Sequence, residues 1–395
     1  MEKRKNVPKL RFKGFDDEWK LEHLFKYLKE SRIVGSEGSK AKKLTVKLWG
    51  KGIVPKREIY EGSDNTKYFT RQEGQLMYGK LDFLNCAFGI VPKELDGYES
   101  TVDAPAFDIK NINSYFLLSK IIQKNFYKRN GDIADGSRKA KRIHSDVFLD
   151  MKIKVPSLEE QDKIAGFLSN VDKIIEEQEE KVKDLEQYKK GMMQKIFKRE
   201  IRFKDENGQE YPEWEKSKLE KYIIEYTDKT TINNQYPVLT SSRKGIILQS
   251  DYFKERQITT ENNIGYYIIP KGYITFRSRS DDGIFVFNEN TILDKGIISY
   301  FYPVFKLKEN INSYYARIYM NNYLKKDILR EIVGTSQLVL SMNKLKRLEI
   351  NHPCLEEQKK IADILSNMDK VIEEENKKLE DSRLWKKGLL QQMFI

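Results

Sequence analysis

PSLEEQDKIAGFLSNVDKIIEEQEEKVKDLEQYKKGMMQKIF, from Pro156 to Phe197, returns without a gap as PCLEEQKKIADILSNMDKVIEEENKKLEDSRLWKKGLLQQMF, from Pro353 to Phe394, an offset of 197 residues. About half of the aligned positions are identical. In the first copy apolar residues step by four and three through Ile164, Leu168, Val171 and Ile175, then resume at Val182 and Leu185 after a polar Gln178. The second copy gives Ile361, Leu365, Met368 and Ile372, then Leu379 after Glu375. That spacing lays one apolar stripe along a helix. About 40 residues rising 1.5 Å each predict a rod of about 60 Å. Pro156 stops the preceding element, and Ser157 with Glu160 makes a capping box, which Cys354 removes from the second copy. The simplest burial for both stripes is against one another as a two-stranded coiled coil, and an intervening domain favours the antiparallel pairing. Each helix packing only on its own domain is the alternative.

A shorter echo precedes each domain. Leu10-Arg11-Phe12-Lys13 and Glu18-Trp19 recur as Ile201-Arg202-Phe203-Lys204 and Glu213-Trp214, each followed by a Leu and a Tyr (Leu24 and Tyr27, Leu219 and Tyr222). Two long copies exclude a short-period solenoid or propeller. The chain therefore divides into a first domain over 1–155, a spacer helix over 156–198, a second domain over 199–352 and a second spacer helix over 353–395, with two-fold pseudo-symmetry. The stretches 28–155 and 222–352 are rich in Gly, Tyr, Phe and β-branched residues, with short apolar runs such as Gly265 to Phe276. They read as mixed α/β domains, each with one helix, near Ser114 to Tyr127 and Ser313 to Glu331. The fold class is α+β.

Length and composition fit two to three domains with real cores: 395 residues, 39% hydrophobic. The net charge of +12 suggests a polyanionic partner. Its location is more informative, because the excess is +8 over residues 28–155 and +5 over 222–352, against −2 over 156–198 and −1 over 353–395. Lys and Arg neutralise phosphates, so the domains and not the rods are expected to face double-stranded DNA. The densest basic cluster is Gly136-Ser137-Arg138-Lys139-Ala140-Lys141-Arg142. Its counterpart by position, Gly334-Thr335-Ser336-Gln337, trades charge for hydrogen-bonding side chains suited to base edges. Tyr78-Gly79-Lys80 pairs with Phe276-Arg277-Ser278-Arg279-Ser280. Further candidates are Lys47, Lys51 and Lys56 around two glycines, and Ser241-Ser242-Arg243-Lys244.

The doubled phrase Pro-x-Leu-Glu-Glu-Gln-x-Lys-Ile-Ala, each time leading into a long helix, resembles the scaffold repeat of type I restriction-modification specificity subunits. YPVLTSSRKGIILQSDYF (Tyr236 to Phe253) and LTVKLWGKGIVPK (Leu44 to Lys56) are similar to the openings of target-recognition domains in that family. The resemblance covers almost the whole chain. It implies two domains that each read one half of a bipartite DNA site, held apart by helices acting as a ruler. It also implies partners: two methylation subunits that use S-adenosylmethionine, and two restriction subunits that use ATP, with magnesium, so that this chain itself binds no cofactor.

Other classes find less support. No Pro-Pro pair exists for an adenine methyltransferase motif, and neither a Walker A loop nor Gly-x-Gly-x-x-Gly is present. Glu18-Trp19-Lys20 mimics part of a nuclease site, but its echo Glu213-Trp214-Glu215 lacks the lysine. A coiled-coil adaptor without a DNA role explains the rods and not the basic domains. Cys86 and Cys354, with His23, His144 and His352, offer no zinc spacing, His352-Pro-Cys354 being the nearest pair. No apolar run approaches the roughly 18 residues of a membrane span, and the opening MEKRKNVPKLRFKGF lacks a signal-like apolar stretch, so no membrane partner and a cytoplasmic location are expected.

Overall fold

The computed structural model describes residues 6–57, 63, 65–131, 142–252, 262–332 and 337–395. Two helices dominate it, Leu158–Phe197 and Leu355–Met393, where the two copies of the repeat lie. Packing divides the chain into two units, Met1–Val182 with Glu375–Ile395, and Lys183–Glu374. Each unit thus holds one domain, the first part of the long helix that follows it and the last part of the other long helix.

In the first unit the domain is entered and left through one antiparallel strand pair, Lys20–His23 with Lys152–Val155. Its centre is a four-stranded antiparallel sheet in the order Leu28–Ser31, Ala106–Ile109, Leu76–Tyr78, Phe88–Ile90. Side chains alternate across a strand, and here both faces are covered. Leu76, Tyr78 and Phe107 join the main core with Phe83, Phe88 and Phe148, while Met77 and Ala106 join a second cluster with Leu44, Ile53 and Val91. A hairpin, Leu44–Val46 with Ile53–Pro55, lies over that second face. It comes so close that a side chain on Gly89 would strike the backbone of Gly52 at 3.1 Å.

The second unit repeats the plan. Glu215–Lys218 pairs with Glu349–His352, and the sheet runs Ile223–Tyr226, Val304–Leu307, Ile274–Thr275, Asn288–Glu289. Its hairpin is Leu239–Ser242 with Gly245–Leu248. The mixed α and β character read from the sequence is therefore present, and the same four-stranded order recurs in both domains.

The helix expected near Ser114 to Tyr127 is two, Ser114–Ile121 and Lys124–Gly131, and that near Ser313 to Glu331 is Ser313–Asn322 and Lys325–Glu331. No Gly or Pro marks either break. The Gln123 carbonyl accepts from both Phe126 and Tyr127 amides, restarting the helix so that these two rings reach the core.

The apolar stripes are buried as expected at Ile164, Leu168, Val171, Ile175, Val182, Ile361, Leu365 and Leu379, and partly buried at Leu185, Met368 and Ile372. Their partners are broader than a bare coiled coil. Ile164 to Ile175 share one core with Trp19 and Phe116 of the first domain and with Leu379, Leu389 and Phe394 of the other helix. Antiparallel pairing shows in the first unit as Asp172 meets Lys386, Gln178 meets Ser382 at 2.9 Å and Glu179 meets Arg383 at 2.6 Å. In the second unit Lys189 meets Asp369. The polar interruptions are satisfied too, Gln178 by Ser382 and Glu375 by Lys181 and Lys378. No helix among the described residues is long and apolar enough to cross a membrane.

Candidate nucleic-acid interface

The positions of the candidate side chains follow from how each domain is anchored. Arg11, from the short echo, donates to both oxygens of Glu160 at 2.7 and 2.8 Å, and that carboxylate is 1% exposed. Arg202 reaches the fully buried Glu357 in the same way. Each carboxylate holds its guanidinium above the ordinary arginine range. The next residues, Gln161 and Gln358, accept from the amides of Asn113 and Asn312 and donate to the carbonyls of Pro156 and Pro353. Those two asparagines cap the helices Ser114–Ile121 and Ser313–Asn322. Ser157 caps the central helix through the Glu160 amide at 3.3 Å, but the Glu160 side chain is taken by Arg11, so only half of the expected capping box forms. Farther along, Tyr115 donates to Asp172, which also takes Lys386, and Tyr314 donates to Asp369, which also takes Lys189. Burial and then the neighbouring carboxylate push both phenols well up, so they remain donors.

On this mount the second domain opens a cleft of about 830 Å³ lined by Ser241, Ser242, Arg243, Lys244, Arg277, Arg279 and Ser280. Two runs separated by more than thirty residues of sequence therefore meet, one from the hairpin tip and one from the end of strand Ile274–Thr275. The strand pair Arg279–Ser280 with Leu338–Val339 brings Gln337 beside them, its amide 3.4 Å from Asp281. Arg279 lies over the Phe301 ring at 4.5 Å, which fixes a long side chain without consuming its donors. Ser278 is used by its backbone, accepting from Leu340 and donating to Phe301. Ser280 is buried and its hydroxyl donates to Asp282 at 2.9 Å, so it supports the wall. Asp282 in turn takes Arg243. That guanidinium, the Ser280 hydroxyl and the Ile284 amide hold its carboxyl below the usual range. Thr335 and Ser336 lie outside the described residues.

The first domain places Lys80 at the point equivalent to Ser278. Lys80 donates its amide to the Asp103 carbonyl and accepts from Ile143, as Ser278 does with Phe301 and Leu340. Arg142 lies 3.4 Å from Asp103. Ser137, Arg138, Lys139 and Lys141 lie outside the described residues, between Gly131 and Arg142. Lys56 lines a small cleft of about 180 Å³ with Thr45, Asp82 and Asp103. Lys47 and Lys51 are exposed on the hairpin tip and do not join it.

Residues absent from the sequence reading are Asp251, Tyr252, Asp281 and Asp282, which line the second-domain cleft, and Trp49 on the first hairpin tip. A carboxylate two residues from an Arg-x-Arg run is visible in the sequence at 281–282, but its pairing with Arg243 depends on the fold. A further cleft of about 830 Å³ in the first unit is lined by Lys120 and Arg129 from one segment and by Asp146, Asp150, Lys152 and Lys154 from another, a meeting with no local signal. Of Glu18-Trp19-Lys20, Trp19 is buried with Phe116 and Phe394, while Glu18 and Lys20 are exposed. Among the described residues no three His, Cys, Asp or Glu side chains gather to hold a metal.

Two domains of one plan, each carried on a long helix, and different polar loops at equivalent edges define a duplicated scaffold with two unlike surfaces. The type I restriction modification DNA specificity domain model matches residues 103–187 and 195–381. The chain belongs to that family. It is 26% identical over 272 residues to the type I restriction enzyme MjaVIII specificity subunit of Methanocaldococcus jannaschii, covering 63% of this chain and 62% of that protein. It is 28% identical over 298 residues to the putative MjaX specificity subunit of the same organism, covering 70% and 65%. The chain thus spans just under two thirds of these relatives' length. Among solved structures, the type I restriction-modification system S subunit from M. genitalium shares the fold with a TM-score of 0.58 at 14% identity, covering 98% of this chain and 99% of that one. A chain from a structure described as the basis of complex assembly and conformational transition of the type I R-M system gives 0.53 at 14% identity, covering 96% and 98%.

Proposed function

We propose that this chain is the non-catalytic, sequence-reading subunit of a type I restriction-modification complex, and that each domain reads one half of a bipartite site in double-stranded DNA. The observation that carries the reading is the second-domain cleft, where Arg243, Arg277, Arg279 and Gln337 converge from three segments beside three aspartates. Arg reads guanine, Gln reads adenine and carboxylates accept from cytosine, so such a wall suits base edges better than uniform phosphate binding. The first domain, with its larger basic excess, contributes more of the salt-sensitive affinity. The long helices set the distance between readers and dock two methylation subunits, which carry S-adenosylmethionine. Two restriction subunits carry ATP and magnesium, and the assembly acts on DNA in the cytoplasm.

The test is duplex binding by the chain reconstituted with its methylation subunits, followed over increasing salt. Binding that falls steeply with salt and prefers the motif methylated in the host supports the reading. Salt-insensitive or absent binding by an assembled complex contradicts it and favours the adaptor.

A further inference from the structure

The hairpin tip of the first domain carries an exposed tryptophan held in a strained backbone conformation. Trp49 has φ of 63°, a left-handed conformation that bulky residues rarely adopt, and its side chain is 58% exposed. Two backbone hydrogen bonds impose it: the Trp49 amide donates to the Asn85 carbonyl at 2.8 Å and the Gly50 amide to the Cys86 carbonyl at 2.7 Å. Gly50 and Gly52 also have positive φ, and the tip closes on itself through Lys47 N–H to Gly52 at 2.8 Å. The ring is thus presented on a rigid base. Among the described residues Trp49 joins no apolar cluster of the domain, so core packing there does not account for its conformation. Strain of this kind persists where the surroundings over-determine it, commonly at ligand-contacting positions.

Lys47 and Lys51 flank the ring, both exposed, and Leu48 beside it is also exposed. The second domain has the equivalent hairpin, but its two-residue tip is Arg243-Lys244 and lines the polar cleft. We propose that Trp49 inserts into, or stacks on, a base step of duplex DNA in the first half-site, with Lys47 and Lys51 on the flanking phosphates. The inference rests on the DNA-recognition reading above. Cation–aromatic–cation order along the tip matches a duplex edge, with phosphates on either side of a stacked base pair. Apolar wedges of this kind partly unstack a step and bend the duplex, so sequence is read through deformability without hydrogen bonds. The two domains then read by different means through one hairpin.

The experiment uses the chain assembled with its methylation subunits and a duplex carrying the motif methylated in the host, with 2-aminopurine placed in turn along each half-site. Apart from rises at bases that the methylation subunits extrude, which Trp49 does not control, the parent is expected to raise fluorescence at one further step, in the first half-site. Trp49→Ala should abolish that rise and weaken binding about 5- to 150-fold, the range that loss of base–aromatic stacking spans. Its salt slope and melting temperature should stay as in the parent, and Trp49→Phe should retain most of both effects. Lys47→Ala and Lys51→Ala should instead lower the salt slope. A Trp49→Ala complex with parental affinity and an undiminished fluorescence rise overturns the inference while leaving DNA recognition standing. So does weaker binding by a variant whose parent shows no such further rise, or failure of Trp49→Ala to assemble, which would make the ring a protein contact. A parent complex that binds no duplex overturns the DNA reading and this inference with it.

Discussion

Glu160 and Glu357 are where both echoes of the sequence converge. Each is sealed from solvent and stays there because an arginine from the short upstream motif answers it, at separations of 149 and 155 residues. Removing one partner of such a pair strands a buried charge, so Arg202→Ala should cost about 3 kcal/mol in a denaturant titration, while replacing both partners with apolar residues should cost less. The two domains differ in one detail beside this pair. Trp19 Nε1 lies 3.4 Å from Glu160, whereas Trp214 Nε1 is buried with no hydrogen-bond partner. Trp19→Phe should therefore lose about 0.5 to 1.5 kcal/mol, and Trp214→Phe should be neutral or slightly stabilising, as thermal melts of the two variants will show. Both motifs were legible as repeats. That they meet was not, because an arginine and a glutamate so far apart leave no local trace. Among the reading loops, Gln337→Ala or Arg279→Ala should relax recognition at single positions of one half-site by about 1 to 3 kcal/mol, while Lys139→Ala and Lys141→Ala should weaken binding to all sequences alike. Binding titrations on single-base variants of the site separate the two patterns.

At the scale of elements, the long helices were readable because a 3.5-residue repeat from Ile164 to Leu185, echoed from Ile361 to Leu379, has few other solutions. The strands were not individually readable. Most are two to four residues long, too short for period-two alternation, and the central sheets bury both faces, which removes the alternation altogether. The correspondence of the two hairpins was half visible in Leu44-Thr45 and Leu239-Thr240, while their different tips were not. If the helices set the gap between half-sites, inserting four residues after Glu179 advances the helix by about 6 Å and turns it by about 40°. It also separates the Gln178–Ser382 and Glu179–Arg383 pairs from the Lys181–Glu375 pair. The expected outcome is an altered number of unread bases with both half-sites intact, measured as the methylated motif of the variant. An active variant with the parental gap would remove the ruler role from these helices.

At the scale of the whole molecule, one scaffold is built twice, and the proposed function gives each copy its own half-site. The anchoring residues are matched, Arg11 with Arg202, Gln161 with Gln358 and Tyr115 with Tyr314, while the surfaces they present differ. If each domain reads its own half-site, matched anchors should let one domain be exchanged without disturbing the other. The most direct measurement is the methylome of a host expressing a complex in which residues 28–155 are replaced by the equivalent segment of another specificity subunit. The account predicts that one half of the methylated motif changes while the other half and the gap stay as in the parent. Changes in both halves would contradict it.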